Sequence, residues 1–189
     1  MSNPKSEVYD PSVAFRRTGP IVAAFVTALL VAMSVYHYYA SGFGLLRELV
    51  HRSIHLSFVM GLIFLVFGFT SRNLTQIAPK AWYRFQGVAI IDFIFAGLAV
   101  WAVLYLPMMT PEELSNRVGN PLPIDVFMGT VLLVAVLEAT RRSVGITLPI
   151  IVLIALTYAI FGQQAPGVMK HSGASWPALI NHLYLTNQG

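Results

Sequence analysis

Cysteine is absent from the 189 residues, which excludes disulfides, thiolate metal sites and cysteine nucleophiles. Charge is scarce too, at 11% of the chain, less than half the roughly 25% usual for a soluble globular domain. Nor does the chain carry a glycine-rich phosphate loop, a G-x-S-x-G elbow, an H-E-x-x-H helix or zinc-finger spacing. With them go the commonest motif-borne routes to soluble enzyme chemistry and to nucleic-acid reading. What is there is apolar, 56% of the residues. The 12 Lys+Arg against 8 Asp+Glu give a formal net charge of +4. These charges form no single patch; they sit in short gaps between long apolar runs, as in a polytopic membrane protein.

Five runs qualify as membrane spans, at about 19–41, 50–70, 85–108, 122–140 and 146–162. Each approaches the roughly 20 residues that cross a hydrocarbon layer of about 30 Å at 1.5 Å rise per residue. The run from Ile21 to Met33 holds no charge and no alternation of period 2, so it reads as a helix apolar on all sides. A chain this short cannot supply enough protein to bury five such helices, and lipid must cover much of their surface. The fold class is therefore all-α: a bundle of five transmembrane helices.

Orientation follows from Lys and Arg. Lys5, Arg16, Arg17, Arg72, Lys80, Arg84, Arg141 and Arg142 fall on one side, and Arg47, Arg52, Arg117 and Lys170 on the other. The positive-inside bias places the N-terminus in the cytoplasm and the C-terminus outside. The first span runs too far for a signal-peptide core and ends in Tyr36, His37, Tyr38 and Tyr39, which read as an outer aromatic belt. Trp82 and Tyr83 would anchor the inner end of the third span, with Trp101 and Tyr105 near its outer end.

Several polar residues stand out. Asp92 lies within an apolar stretch, about eight residues or ~12 Å inside the third span. An ionised carboxylate against lipid costs about 2.5–3.5 kcal/mol on insertion scales. Asp92 must therefore meet another helix or subunit, serve an ion or proton, or sit peripherally. His51 and His55, four apart, share a helix face. A metal there lacks a third ligand and has Arg52 beside it, leaving contacts between helices, with lipid headgroups or with an external partner. Asp125, two residues after Pro123, is placed to accept free N–H groups at a helix start. Glu138 precedes Arg141 and Arg142 by three and four residues, the favourable order at a helix C-terminus; a lipid phosphate is the alternative partner for the arginines.

The connections are short. Gly42 and Gly44 mark the first outer turn, Pro79 the first inner one, and Thr110-Pro111-Glu112-Glu113 opens a one-turn helix in the next outer gap. Beyond Phe161 the chain becomes turn-rich, and Ser175-Trp176-Pro177 caps a further helix with Trp176, Leu179, Ile180, Leu183 and Tyr184 on one side. That helix is too short to span. It should lie at the interface or dock on more protein.

Taken together, four segments carry a family resemblance: His51-Arg52-Ser53-Ile54-His55-Leu56, Pro121 through Gly129, Leu137 through Gly145, and Tyr158 through Gly173, with continuation from Leu183 to Gly189. Over 45–189 the chain resembles the small-subunit-like N-terminal part of the fused membrane permease of TAXI-type tripartite ATP-independent periplasmic (TRAP) transporters. The resemblance implies a bacterial inner-membrane location and uptake of organic anions by ion-coupled secondary transport. A periplasmic TAXI-type solute-binding protein would deliver the solute to a large transport subunit. Substrate binding and sodium coupling belong to that large subunit, so no catalytic residue, cofactor or metal is expected here. Residues 1–18 would be a cytoplasmic tail, 19–162 a membrane scaffold, and 163–189 an external connection leading toward a transport domain, either in a longer polypeptide or beside a separate subunit. The competing function is an independent small proton- or ion-conducting membrane protein centred on Asp92.

The topology makes a direct prediction against the cysteine-free background: single cysteines in 109–121 should react with an impermeant maleimide added outside, and those in 71–82 should not. Labelling of both gaps from one side contradicts the five-span arrangement.

Overall fold

Each apolar run becomes one helix, and the helices stand side by side in alternating directions. The computed structural model describes residues 15–16, 18–44, 47–69 and 84–186. The expectations for the tail before Phe15, for Pro79, Trp82 and Tyr83 in the first inner gap, and for 187–189 fall outside that range.

Helix α1 runs over Pro20–Phe43 and α2 over Glu48–Val66. A two-stranded hairpin, β1 (Arg84–Phe85) and β2 (Val88–Ala89), leads into α3 (Ile90–Tyr105), which a 3-10 turn extends to Met108. The short α4 (Pro111–Arg117) links α3 to α5 (Pro123–Ser143), and α6 (Thr147–Phe161) follows. The chain closes on α7 (Trp176–Ile180) and a π turn over Asn181–Leu185. Five helices, counting their terminal turns, are long and apolar enough to cross a membrane, and the protein is a multi-pass membrane bundle.

The third span begins later than its hydropathy suggests. Arg84 pairs with Ala89 and Phe85 with Val88 across a two-residue turn. That turn needs positive φ at both positions, met by Gln86 (φ 51) and Gly87 (φ 86). Apolar residues in β2 look the same to a hydropathy reading as the first turn of a helix. The hairpin also braces α1, because Gly19 N–H donates to Gln86 O at 2.8 Å.

Three clusters form the core. Val22, Leu65 and Val88 pack at the end of the bundle that the charge distribution assigns to the cytoplasm, called the inner end for reference and its opposite the outer end, and Met60, Phe64, Ala99, Ala135 and Ala139 pack in the middle. Ala102, Leu106, Met128, Ile180, Tyr184 and Leu185 close the outer end. Alanines at the meeting of α3 and α5 let the two backbones approach, as membrane helices require when lipid is as apolar as their side chains. The outer faces of α1 and α6 stay bare: Ile21, Val31 and Val35 on one, Ile150, Ile151 and Ile154 on the other, are exposed. Such a surface is stable only against hydrocarbon or another apolar partner.

The outer gap and the C-terminal helix come out more structured than expected. α4 is seven residues long rather than one turn, and its start carries reciprocal caps between Thr110 and Glu113. The C-terminal helix docks on the chain's own bundle, with Ile180 and Tyr184 buried beside Met128. Gly129 makes that docking possible, since a Cβ there would stand 2.4 Å from Ile180 Cγ2 and 3.0 Å from Tyr184 Cδ1. Gly129→Ala should therefore cost about 1–3 kcal/mol by overpacking. The comparison variant Gly42→Ala, whose added methyl meets nothing within 4 Å, should not destabilise. Thermal unfolding in detergent checks this, and equal melting temperatures for the two variants would contradict the docking.

Candidate functional site

The buried charges gather into two locks, one at each end of the α3–α5 pair. At the inner end Asp92 sits in the first turn of α3, not about eight residues inside it, because the hairpin occupies the residues before Ile90. The N-terminus of a helix favours a carboxylate at that position. Asp92 is only 1% exposed, and both of its oxygens are occupied. Arg142 Nη1 donates to Oδ1 at 2.7 Å and Arg16 Nη2 to Oδ2 at 2.6 Å. The contact with α5 is the helix-to-helix contact that the sequence leaves open as one reading of Asp92.

The lock extends along α5. Arg142 Nε donates to Glu138 Oε1 at 2.6 Å, and Arg141 holds the same carboxylate through Nε and Nη2, both at 2.8 Å. Backbone carbonyls join in: Arg16 Nη2 donates to Phe67 O and Arg141 Nη2 to Phe69 O. The Arg142 guanidinium, wholly buried, lies 5.0 Å from the Phe64 ring centre and 5.4 Å from that of Phe69. Among the described residues, Arg16 Nη1 and Arg142 Nη2 are buried without a hydrogen-bond partner. Four pieces of chain are thus tied together: the approach to α1, the end of α2, the start of α3 and the end of α5.

At the outer end Asp125, fully buried, is the centre. Its Oδ2 accepts the Leu122 N–H at 2.8 Å, which makes it the helix-start fixture its position suggests. Its Oδ1 accepts from the Tyr105 hydroxyl at 2.7 Å and from Arg117 Nη1 at 2.8 Å. Arg117 also donates to the Tyr105 oxygen. The hydrogen bond to Asp125 raises the Arg117 guanidinium above its ordinary range, while the Thr110 N–H holds the Glu113 carboxyl below the usual carboxylate range. One turn before Tyr105 along α3, the Ala102 carbonyl accepts from the Tyr184 hydroxyl, and burial pushes that phenol up.

His51 and His55 lie on α2 and face α1. His51 Nδ1 is hydrogen-bonded to the Tyr36 hydroxyl at 2.9 Å, and His55 Nδ1 lies 2.9 Å from His37 Nε2. Arg52, between them in sequence, pairs instead with Glu48 at 2.5 Å on an exposed surface. Among the described residues no group of three His, Cys, Asp or Glu is arranged to hold a metal.

Sequence reasoning missed Arg16, Arg117 and Tyr105 as carboxylate partners and His37 as the partner of His55. The histidine pairing leaves a signal only once the break between the helices is placed at 44–47 rather than at Gly42–Gly44, because His37 and His55 then lie nearly equally far from it in a helical hairpin. Arg16 leaves none, since a charge counted as a topology marker looks the same whether it meets water or a buried carboxylate. No family model matches the chain, and neither a curated protein nor a solved structure matches it.

Breaking a buried pair by removing one partner costs about 3–5 kcal/mol, because the other charge is left stranded. Asp92→Asn and Arg142→Met should each destabilise the bundle on that scale, and the double variant should cost clearly less than their sum. Additive losses in a thermal or chemical unfolding cycle would show that the two residues do not act as a pair.

Proposed function

We propose that this chain is a membrane scaffold subunit, or the scaffold part of a longer permease, in a TRAP-type ion-coupled transporter for organic anions. One observation carries the reading: the charged residues in two of the segments that resemble the family, Pro121 through Gly129 and Leu137 through Gly145, take part in locks that hold helices together. Asp125, within Pro121 through Gly129, closes the outer lock. Glu138, Arg141 and Arg142, within Leu137 through Gly145, build the inner one. The segment from Tyr158 to Gly173 folds into a tied connection, with the Tyr158 hydroxyl donating to Met169 O and the Gly173 N–H donating to His171 Nδ1.

A carboxylate whose two oxygens already accept from arginines offers no free ligand to a cation, and two guanidinium groups repel one. The inner lock therefore favours a bracing role over an ion path through Asp92. On this reading solute and sodium are handled by a large transport subunit, supplied by a periplasmic TAXI-type solute-binding protein. The chain sits in the bacterial inner membrane with its N-terminus in the cytoplasm. The bare faces of α1 and α6 are suited to lipid on one side and to the large subunit on the other.

Reconstitution tests the reading. With the large subunit and the solute-binding protein from the same locus, vesicles should accumulate solute; with this chain alone they should not. Asp92→Asn should lower the amount of assembled complex while leaving uptake per assembled complex near wild type. Ion flux through vesicles holding this chain alone, or lost uptake at normal assembly, would favour the conducting alternative.

A further inference from the structure

α1 is fastened to the bundle near its two ends and stands away from it between them. At the inner end Val22 is buried with Leu65 and Val88, and the Gly19 N–H is held by Gln86. At the outer end Ala40 is buried, and Tyr36 and His37 contact His51 and His55. Between these lies an apolar cavity of about 480 Å³ among α1, α2 and α3, with Phe25 and Leu29 on one side and Ala96, Gly97 and Val100 on the other. The rest of the outer face of α1 is exposed.

The histidine contact holds only while the pair carries at most one extra proton. His37 Nδ1 lies 2.8 Å from Met33 O, and a carbonyl only accepts, so Nδ1 carries a hydrogen. In the neutral ring Nε2 is then a lone pair, and His55 must donate to it from Nδ1. A first proton on the pair can go to His55 Nε2, which leaves the bond in place as a charge-assisted one. A second can go only to His37 Nε2. That sets one N–H against another and puts two cations on rings whose centres are 5.0 Å apart, with the His51 ring 5.7 Å from His37. The Tyr36–His51 bond tolerates protonation, because a hydroxyl oxygen both donates and accepts.

We infer that His37 and His55 form an acid-labile clasp whose double protonation parts α1 from α2 at these two rings, leaving the Tyr36–His51 bond as the remaining outer tether and loosening α1 over the apolar cavity beside α2 and α3. The other groups near the clasp do not relieve the charge. On α1 these are Tyr36, Tyr38 and Tyr39. On and before α2 they are Arg47, His51, and the Glu48–Arg52 pair, whose carboxylate is already taken. The elements packed against α2 contribute Tyr105, Asp125 and Arg117, committed to the outer lock, Tyr184, which donates to Ala102 O, and the exposed His182.

Imidazoles titrate between about pH 8 and pH 5, which sets the interval to be scanned. The absence of native cysteine allows spin labels on Tyr38→Cys and Met108→Cys, exposed positions at the outer ends of α1 and of the α3 extension. In phosphatidylcholine nanodiscs the distance between labels, read by double electron–electron resonance, should lengthen as pH falls across that interval. His37→Gln, whose side-chain oxygen accepts from His55 at any pH, should hold the short distance throughout. Nitrogen NMR of the histidine-labelled wild-type protein gives an independent reading: the His37 ring should become doubly protonated over the interval in which the distance changes. A distance that stays constant across the interval overturns the inference, as does lengthening that persists in His37→Gln or that precedes His37 protonation.

Discussion

A charge buried in a membrane bundle must be answered by an opposite charge, and here that requirement organises the helices. Asp92, Asp125 and Glu138 each meet at least one arginine at 2.6–2.8 Å. Apolar packing alone does little to choose among helix arrangements in lipid, because a leucine gains nothing by leaving hydrocarbon for another leucine. Ion pairs do choose, since most alternative registers of α3 against α5 would leave Asp92 or Arg142 uncompensated. The two locks lie near opposite ends of these helices, and together they set both position along the axis and rotation.

Between the locks the packing is accommodating. Ala99, Ala102, Ala135 and Ala139 bring α3 and α5 together, and Phe64 and Met60 from α2 fill the remaining space. α1 and α6 flank this unit, with most of their surface bare. The result is a closely packed centre built of α2, α3 and α5 with two peripheral helices. Such a division suits a brace that holds depth and orientation for something larger, and it also suits a helix that moves while the centre does not.

Much of the architecture was legible in the sequence because hydrocarbon leaves few options: a long uncharged run must be a helix, and its length must match the bilayer. Hydropathy located all five spans but could not see the hairpin at Arg84–Ala89, where apolar strand and apolar helix have the same composition and only Gln86-Gly87 hinted at a turn. Asp125 could be placed from its own neighbours, since a proline followed by an acid is a local helix-start pattern. Asp92 could not, because its partners lie 50 and 76 residues away. The His37–His55 contact sits between these cases: reading about the helical hairpin brings the two rings near each other, but the tautomer that joins them depends on Met33 O.

The central claim is that Asp92 is an ionised carboxylate clasped by two guanidinium groups, and solid-state NMR of labelled protein in bilayers reads this atom by atom. Nitrogen–carbon dipolar transfer should connect Asp92 Cγ to the guanidinium nitrogens of both Arg142 and Arg16, with the carboxyl shift of an ionised acid. A protonated carboxyl without either arginine contact would contradict the account.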